Sequence, residues 1–516
     1  MTEKSLWGPQ RWHVSAQLVA ALLAGGALTL AFAPYDLWPL AVLCPAVLMS
    51  LWLGATPRRG ALLGFCFGVG LFTAGTWWLY ISIHRFGEAA IWLTLVLVAL
   101  LVLLMAAYYA VLGFLATRFF AGRSTWQRLL AVPALWLVFE WLRGWLFTGF
   151  PWLSLGFTQT DTWLRGFAPV IGMYGLSLLL LCMAAAVCAL VQRRRARLLA
   201  VSILALPWCA GWVLLRVDWT TATGPPVPVA IVQGAIPQDL KWQMTVENRQ
   251  HTRDLYHDLN EQALGARLIL WPESAVTDLA EQIPRYLADI YATSRVRNSD
   301  VVMGILRLGD DRNTVYNSML ALTDPLAFYD KRHLVPYAEY FPVPQGVRNW
   351  LERMNLPYSD ISRGAEGQSA IAAGGLRIAA TICYEDAFGN AQRRILRQAD
   401  VLANVTNDAW FGHSQARYQH FQISRMLAVQ SQRFLLRSAN DGVSAVVGPR
   451  GEVLQSAPEY QRAVIRGTVT PRRGLTPYAM VGDAPVVLAA CLVLLLSLVA
   501  GLRRRLVSRP GHPDRP

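Results

Sequence analysis

Residues 198–233 read LLAVSILALPWCAGWVLLRVDWTTATGPPVPVAIVQ, and the change of pattern inside this stretch decides the fold. From Leu198 to Leu215 there is no charged residue; Arg216 and Asp218 then open a polar, proline-containing turn that leads into the β-branched run Val227–Val232. A bilayer core takes about 20 apolar residues as helix, so the first part reads as a membrane span and the last part as a strand. Upstream, apolar runs recur at 17–34, 38–55, 61–83, 89–115, 129–148 and 167–191, and one more follows at 484–502. Ala31-Phe32-Ala33 has the small-residue pattern of a signal cleavage site, but Pro34 and further spans follow at once, so the first run reads as retained. The expected organisation is seven helices over 1–218, a domain of mixed polarity over 219–475, and a final span with a basic tail over 476–516.

Composition agrees. The 516 residues are 54% hydrophobic and only 16% charged, with a net charge of +14. An ordinary soluble domain carries roughly a quarter charged residues. These values exclude a disordered chain and a small disulfide-stapled domain, and leave a nucleic-acid binder or a membrane protein with basic loops. Placement of the charge separates the two. Lys4 and Arg11 precede the first span, Arg58 and Arg59 follow the second, and Arg118, Arg123 and Arg128 follow the fourth. Arg193, Arg194, Arg195 and Arg197 follow the sixth, and Arg503, Arg504, Arg505, Arg509 and Arg515 follow the last. Every alternate loop is basic, which is the positive-inside pattern. These segments hold sixteen basic residues against Glu3 and Asp514, so the rest of the chain is neutral and no nucleic-acid patch is implied. Both termini are expected on the cytoplasmic side, with the 219–475 domain in the periplasm of a bacterial inner membrane.

Between 219 and 475, the short apolar runs Leu268–Trp271, Val301–Leu306, Ser318–Leu322, Ile378–Ile382, Val401–Val405 and Val443–Val447 continue the pattern begun at Val227–Val232. Helix-compatible segments separate them at Thr245–Leu264, Pro284–Arg295, Ala391–Gln398 and Tyr418–Arg433. Strands alternating with helices predict an α/β layer sandwich, with chemistry at the strand ends. Glu273, Lys331 and Cys383 occupy that kind of position. Cys383 is the one cysteine of the domain; Cys44, Cys66, Cys182, Cys188, Cys209 and Cys491 all fall in apolar spans, where cysteine behaves as a small hydrophobe. A thiol, a carboxylate and an ammonium are the parts of covalent acyl transfer. Each alone also fits a loop charge or a packed thiol, and spacing by itself does not decide between the readings. No Cys/His cluster with metal-ligand spacing and no Gly-rich phosphate loop is present in the domain sequence, so neither a metal nor another cofactor is expected.

Four motifs carry a resemblance. Trp271-Pro272-Glu273, Lys331 within Tyr329-x-Lys331-x-x-Leu334-Val335-Pro336-x-x-Glu339, and Ile382-Cys383-Tyr384-Glu385 resemble the signature set of the nitrilase superfamily, as does Val405-Thr406-Asn407-Asp408-Ala409-Trp410-Phe411-Gly412. Together with the multi-span region, the chain resembles the apolipoprotein N-acyltransferase family. Trp77-Trp78-Leu79-Tyr80-Ile81-Ser82-Ile83, Glu140-Trp141-Leu142-Arg143-Gly144, Gly149-Phe150-Pro151-Trp152 and Gln233-Gly234-Ala235-Ile236-Pro237-Gln238 belong to that likeness. The resemblance implies about eight transmembrane helices joined to an αββα sandwich. It also implies transfer of an acyl chain from a phospholipid, phosphatidylethanolamine being expected, to the N-terminal amine of a diacylated apolipoprotein. Glu273 is implied as general base, Lys331 as oxyanion stabiliser and Cys383 as nucleophile, in a ping-pong scheme through a thioester. Glu339 is implied to support Lys331, Tyr384 and Glu385 to shape the pocket beside the nucleophile, and Trp242 to stand where substrate enters. The sequence departs from the family pattern at Tyr337-Ala338, where Phe-Gly usually precedes the glutamate. A membrane-tethered amidase using water as acceptor is the enzymatic alternative, and a transporter or lipid-binding scaffold the non-enzymatic one. In the membrane half, Glu140 and Arg143 are three apart on one helical face and can pair. His84 and Arg85 could meet a phospholipid headgroup, and Trp78 and Trp152 could line a lipid entrance.

Overall fold

The computed structural model describes residues 12–120, 125–192, 197–242, 245–336, 338–340, 346, 349–350, 353 and 361–507. Lys4, Arg11, Arg123, Arg193, Arg194, Arg195, Arg509, Arg515 and Tyr337 lie outside the described residues, as do the side chains of Arg128, Trp242 and 503–505.

Each of the eight apolar runs forms a helix: α1 (Val14–Leu28), α2 (Leu40–Trp52), α3 (Pro57–Thr76), α4 (Ile91–Leu115), α5 (Thr125–Arg143), α6 (Ala168–Gln192), α7 (Arg197–Leu214) and the closing helix Ala484–Val507. Six of them are long and apolar enough to cross a bilayer, counted among the described residues. The exceptions have physical reasons. α2 has 13 residues, about 20 Å of helix against a core of about 30 Å. α5 carries Glu140 and Arg143 near its end. α3 packs through a stripe of small residues: a β-carbon at Gly64 would stand 2.0 Å from the Tyr109 carbonyl oxygen of α4. Only glycine permits that approach, and close backbone contact is what holds helices together where no water drives them. Leu95, Leu100 and Leu103 of α4 and Leu488, Leu492 and Leu495 of the closing helix stay exposed, forming an apolar outer face.

The domain between these helices is two facing six-stranded sheets, with a two-stranded ribbon of β1 (Thr221–Ala222) and β14 (Arg472–Arg473) at the point where the chain leaves and rejoins the spans. The first sheet has the order β13-β2-β3-β4-β5-β6, formed by Ala463–Val469, Val227–Gln233, Leu268–Leu270, Asp300–Leu308, Val315–Leu322 and Ala327–Asp330. The second has the order β12-β11-β10-β9-β8-β7, formed by Val453–Ser456, Ala445–Val447, Leu435–Ala439, Val401–Thr406, Leu376–Ile382 and Ile371–Ala373. In each sheet three parallel strands form the centre, β2-β3-β4 and β8-β9-β10. Buried on both faces, β2, β3, β8 and β9 are largely apolar runs and so are legible in the sequence, whereas β10 carries Arg437 in its middle.

Ile231, Leu270, Ile378, Ala380, Ile382, Val405 and Leu436 fill the space between the sheets. Helices Val246–Ala263 and Pro284–Val296 cover the first sheet over Ala230, Ile269 and Val301. On the second sheet lie helices Gly389–Leu396 and Ala416–Ser431. The latter is wedged between β10 and α6, so Ala416, Ile423, Met426 and Val429 share a core with the spans. The architecture is a membrane helical bundle joined to an αββα sandwich.

Candidate active site

Glu273, Lys331 and Cys383 come from three different strand ends and meet in one buried pocket. Glu273 follows β3, Lys331 follows β6 and Cys383 follows β8, opening the turn Cys383–Ala387. Lys331 Nζ donates to Glu273 Oε1 at 3.2 Å and to Glu339 Oε1 at 2.9 Å. Burial works against the ammonium, yet the two carboxylates more than offset this and hold it protonated well above its usual value. Asn317 of β5 donates to both carboxylates, 2.7 Å to Glu273 and 3.1 Å to Glu339, while the Asn407 backbone N–H donates to Glu273 Oε2 at 3.0 Å. Glu339 is fixed further by the Val335 N–H at 2.8 Å. Two carboxylates, one ammonium and one amide therefore form a tightly bonded set, in which only the Asn317 amide nitrogen is engaged and its Oδ1 is buried without a partner.

Cys383 has φ of +51°, a left-handed backbone that costs a non-glycine residue on the order of 1–3 kcal/mol. The turn lifts its side chain from the sheet edge. Burial pushes the thiol well above its usual value; Glu273 and Asp408 add to this, and Lys331 opposes it. At rest the sulfur is therefore a neutral thiol, and a proton acceptor is needed before it can attack. Glu385 ties the turn to the lysine loop: its carboxylate accepts from the N–H groups of Ile382 (2.9 Å), Arg332 (2.7 Å) and His333 (3.1 Å) and from the Tyr329 hydroxyl. Tyr384 is buried, and its hydroxyl donates to the Gly149 carbonyl at 3.3 Å, bridging from the domain to the loop after α5.

Beneath Cys383 lies a second ionic set. His420 Nε2 stands 3.2 Å from the Cys383 carbonyl oxygen and 3.2 Å from Asp386 Oδ1, with Nδ1 2.8 Å from Asp408 Oδ1. Arg437 of β10 donates to Asn404 Oδ1 (2.6 Å), Asp408 Oδ2 (2.8 Å) and Asp386 Oδ2 (3.3 Å). All of these groups are buried. Burial and Arg437 disfavour the imidazolium, but Asp386 and Asp408 prevail and raise the His420 pKa to about 9.

The membrane region supplies the roof. Glu140 and Arg143 form no ion pair with each other; both instead hold the loop 149–155. Arg143 donates to the carbonyls of Phe150 (2.6 Å) and Trp152 (2.5 Å) and to Ser154 Oγ (3.1 Å), while Glu140 accepts from Ser177 Oγ and the Leu155 N–H. That loop sets Trp152 against Trp78 and Phe411 and lets Trp152 Nε1 donate to Gln419 Oε1 at 2.7 Å. Arg143→Lys keeps the charge but not the fork that spans three acceptors. The expected result is a loss of acyl transfer of about tenfold or more, since hydrogen bonds to a charged group are worth roughly 1.5–3 kcal/mol each. Single-turnover assays with the purified protein check this, and wild-type rates in the variant would remove the loop from the catalytic apparatus. His84 Nδ1 stands 2.8 Å from the Ala89 carbonyl oxygen, and Arg85 lies 3.9 Å from Asp239. Both contacts are within the protein.

Asn317 and Lys241 were not singled out by the sequence reading. Lys241, on helix Gln238–Trp242, is buried and donates to the Ser274 carbonyl at 3.0 Å, next to Glu273; burial pushes it down to about 7 against the pull of that carboxylate. The usable signal for Asn317 is an amide inside the otherwise apolar run of β5. The neighbouring Trp242 side chain lies outside the described residues.

Comparison with known proteins addresses the whole chain. A family model described as the apolipoprotein N-acyltransferase N-terminal domain matches residues 24–186, and one described as carbon-nitrogen hydrolase matches 228–478. "Apolipoprotein N-acyltransferase" of Methylococcus capsulatus is 37% identical, with 97% of this chain and 99% of the relative covered. The protein of that name from Nitrosomonas europaea is 39% identical, with 95% and 98% covered. A crystal structure of a CN-hydrolase superfamily protein from Xanthomonas campestris is 20% identical, covering 52% of this chain and 97% of that one, with a TM-score of 0.35. Identity at this level over almost the full length, spans and sandwich alike, leaves one assignment: the chain belongs to the apolipoprotein N-acyltransferase family.

Proposed function

We propose that the protein takes an acyl chain from a phospholipid and places it on the N-terminal amine of the diacylglyceryl-cysteine of apolipoproteins, by way of a thioester on Cys383. The observation that carries this reading is the Glu273–Lys331–Cys383 set in one buried pocket, roofed by the membrane region through Gly149 and Trp152. In the first half-reaction Glu273 accepts the thiol proton, sulfur attacks the ester carbonyl, and the oxyanion forms against Lys331 Nζ. Collapse expels the lysophospholipid alkoxide, which takes the proton back from Glu273. In the second half the acceptor amine attacks the thioester, Glu273 takes the amine proton, and Cys383 leaves and is reprotonated. A pocket closed by Trp78, Trp152 and Phe411 keeps water from the thioester, which would otherwise hydrolyse.

The basic loops support an orientation with both termini cytoplasmic and the catalytic domain, 219–475, in the periplasm. Glu339 and Asn317 act as positioning residues for Lys331 and Glu273, Glu385 and Tyr384 for the nucleophile turn, and the family resemblance assigns Trp242 to substrate entry. Depletion of the protein, followed by mass spectrometry of an outer-membrane lipoprotein's N-terminus, is the test. Accumulation of the diacylated form is expected. Continued triacylation would sink the reading, and discharge of the isolated thioester by water in preference to a diacylated lipopeptide would favour an amidase.

A further inference from the structure

A cavity of about 540 Å³ lies beside the turn Cys383–Ala387, with Glu385 in its lining, and falls within the size range of small-molecule sites. Five arginines line it: Arg332, Arg363, Arg393, Arg394 and Arg397. Its two carboxylates, Glu366 and Glu385, offset two of these five charges and leave the lining cationic by three. Glu385 is already satisfied by Tyr329 and by the N–H groups of Ile382, Arg332 and His333, and Glu366 pairs with Arg363 at 3.0 Å. The chain outside its cytoplasmic loops is neutral overall, so this concentration of charge is local.

Three of the arginines share one short helix, Gly389–Leu396, and its last turn. Arg393, Arg394 and Arg397 fall at spacings of three and four, on the face that also presents Asn390. Like charges at that spacing repel one another. Arg394 and Arg397 are exposed and, among the described residues, have neither a hydrogen-bond nor an ion-pair partner. They therefore offer two free guanidinium forks to a ligand.

The cavity also sits beside the bilayer. Arg393 Nε donates to the Ala479 carbonyl at 3.1 Å and its NH2 to that of Met480. These residues belong to helix Pro477–Val481, which precedes the closing span Ala484–Val507 by two residues. Met480 and Val481 are about half exposed, as are Trp145 and Trp163 at ends of the spans, the belt expected at a lipid–water boundary. Phe388, stacked on His333 at 3.6 Å, supplies an apolar wall between the cavity and Tyr384.

We propose that this cavity binds the phosphodiester headgroup of a bilayer phospholipid through Arg394 and Arg397, and so presents the donor to the Cys383 pocket. Guanidinium forks match phosphate oxygens in geometry and charge. A site anchored two residues from a membrane span selects a phosphate that is itself held in the membrane. The inference rests on the reading that the acyl donor is a phospholipid.

The test uses the full chain in nanodiscs, comparing acyl-enzyme formation from phosphatidylethanolamine with that from a phosphate-free palmitoyl thioester. For Arg394→Gln/Arg397→Gln the ratio of the two rates should fall about tenfold, through the KM for the phospholipid, and Arg394→Lys/Arg397→Lys should recover part of it. Equal loss with both donors, or no loss, overturns the inference. Inorganic phosphate and sn-glycero-3-phosphoethanolamine are then added as competitors. Stronger competition by the glycerophosphodiester supports a lipid headgroup; competition by inorganic phosphate alone overturns it in favour of a free-anion site. The underlying reading fails separately: acyl-enzyme still forming in Cys383→Ala would refute the thioester whatever the arginine variants do.

Discussion

Cys383→Ala is expected to lower acyl transfer by on the order of 10⁴-fold or more, because in the proposed mechanism this side chain forms the covalent intermediate and has no substitute. The fold should survive: Cys383 is one side chain at the end of β8, and the turn is held by Glu385, Asn404 and His420 acting on backbone atoms. Cys383→Ser should be nearly as inactive, since a buried hydroxyl is harder to deprotonate than the thiol and nothing else in the pocket changes. Glu273→Gln separates binding from chemistry. The amide keeps the shape and can still accept from Asn407, but it cannot take a proton, so phospholipid should bind without forming an acyl-enzyme. Lys331→Met is the least clean probe, for it leaves Glu273 and Glu339 buried together with only Asn317 between them and so disturbs folding as well as catalysis. The measurement is intact-protein mass after incubation with phosphatidylethanolamine: an added acyl chain in the wild type, none in the Cys383 and Glu273 variants. Full transfer by Cys383→Ala would end the mechanism.

The parts of this molecule that were legible in the sequence are those whose signal is local. An uncharged run such as Leu198–Leu215 can only be a buried or membrane helix, and the parallel strands β2, β8 and β9 are apolar on both faces. Glu273, Lys331 and Cys383 read as strand-end residues, but a shared role for them is implied only by the family motifs, since spacing says nothing about three strand ends meeting. What stayed hidden is the ionic set under the nucleophile. Asp386, Asp408, His420 and Arg437 come from two turns, a helix and a strand, and each alone reads as a surface charge. Strand β10 was missed for the same reason, because Arg437 sits in the middle of Leu435–Ala439. Helix Ala416–Ser431, legible only as the helix-compatible segment Tyr418–Arg433, carries Gln, Ser, His and Arg among its apolar residues. It is buried all round because α6 covers one side and the ionic set occupies the other.

Arg437→Met is the variant expected to cost most stability. It leaves Asp386 and Asp408, both fully buried, facing a single imidazolium, and removing one partner from a buried ionic set costs about 3–5 kcal/mol. That is a large fraction of the roughly 5–15 kcal/mol that holds a folded protein, so the thermal midpoint of the detergent-solubilised chain should fall by several degrees. The same set gives stability a pH dependence whose sign follows from His420. Its folded pKa, about 9, lies above the ordinary 6.5, so the unfolded chain gives up this proton at lower pH than the folded chain. The contribution is complete below about 6.5, declines as pH rises, and is gone once pH passes about 9. His420→Gln removes the titrating group while leaving an amide that can still donate to the Cys383 carbonyl, so its melting midpoint should lie below that of the wild type at pH 6 and approach it at pH 9.5. A variant that kept the wild-type slope would show that His420 is neutral in the fold, and an unchanged midpoint in Arg437→Met would show that Asp386 and Asp408 do not depend on that guanidinium for their charge.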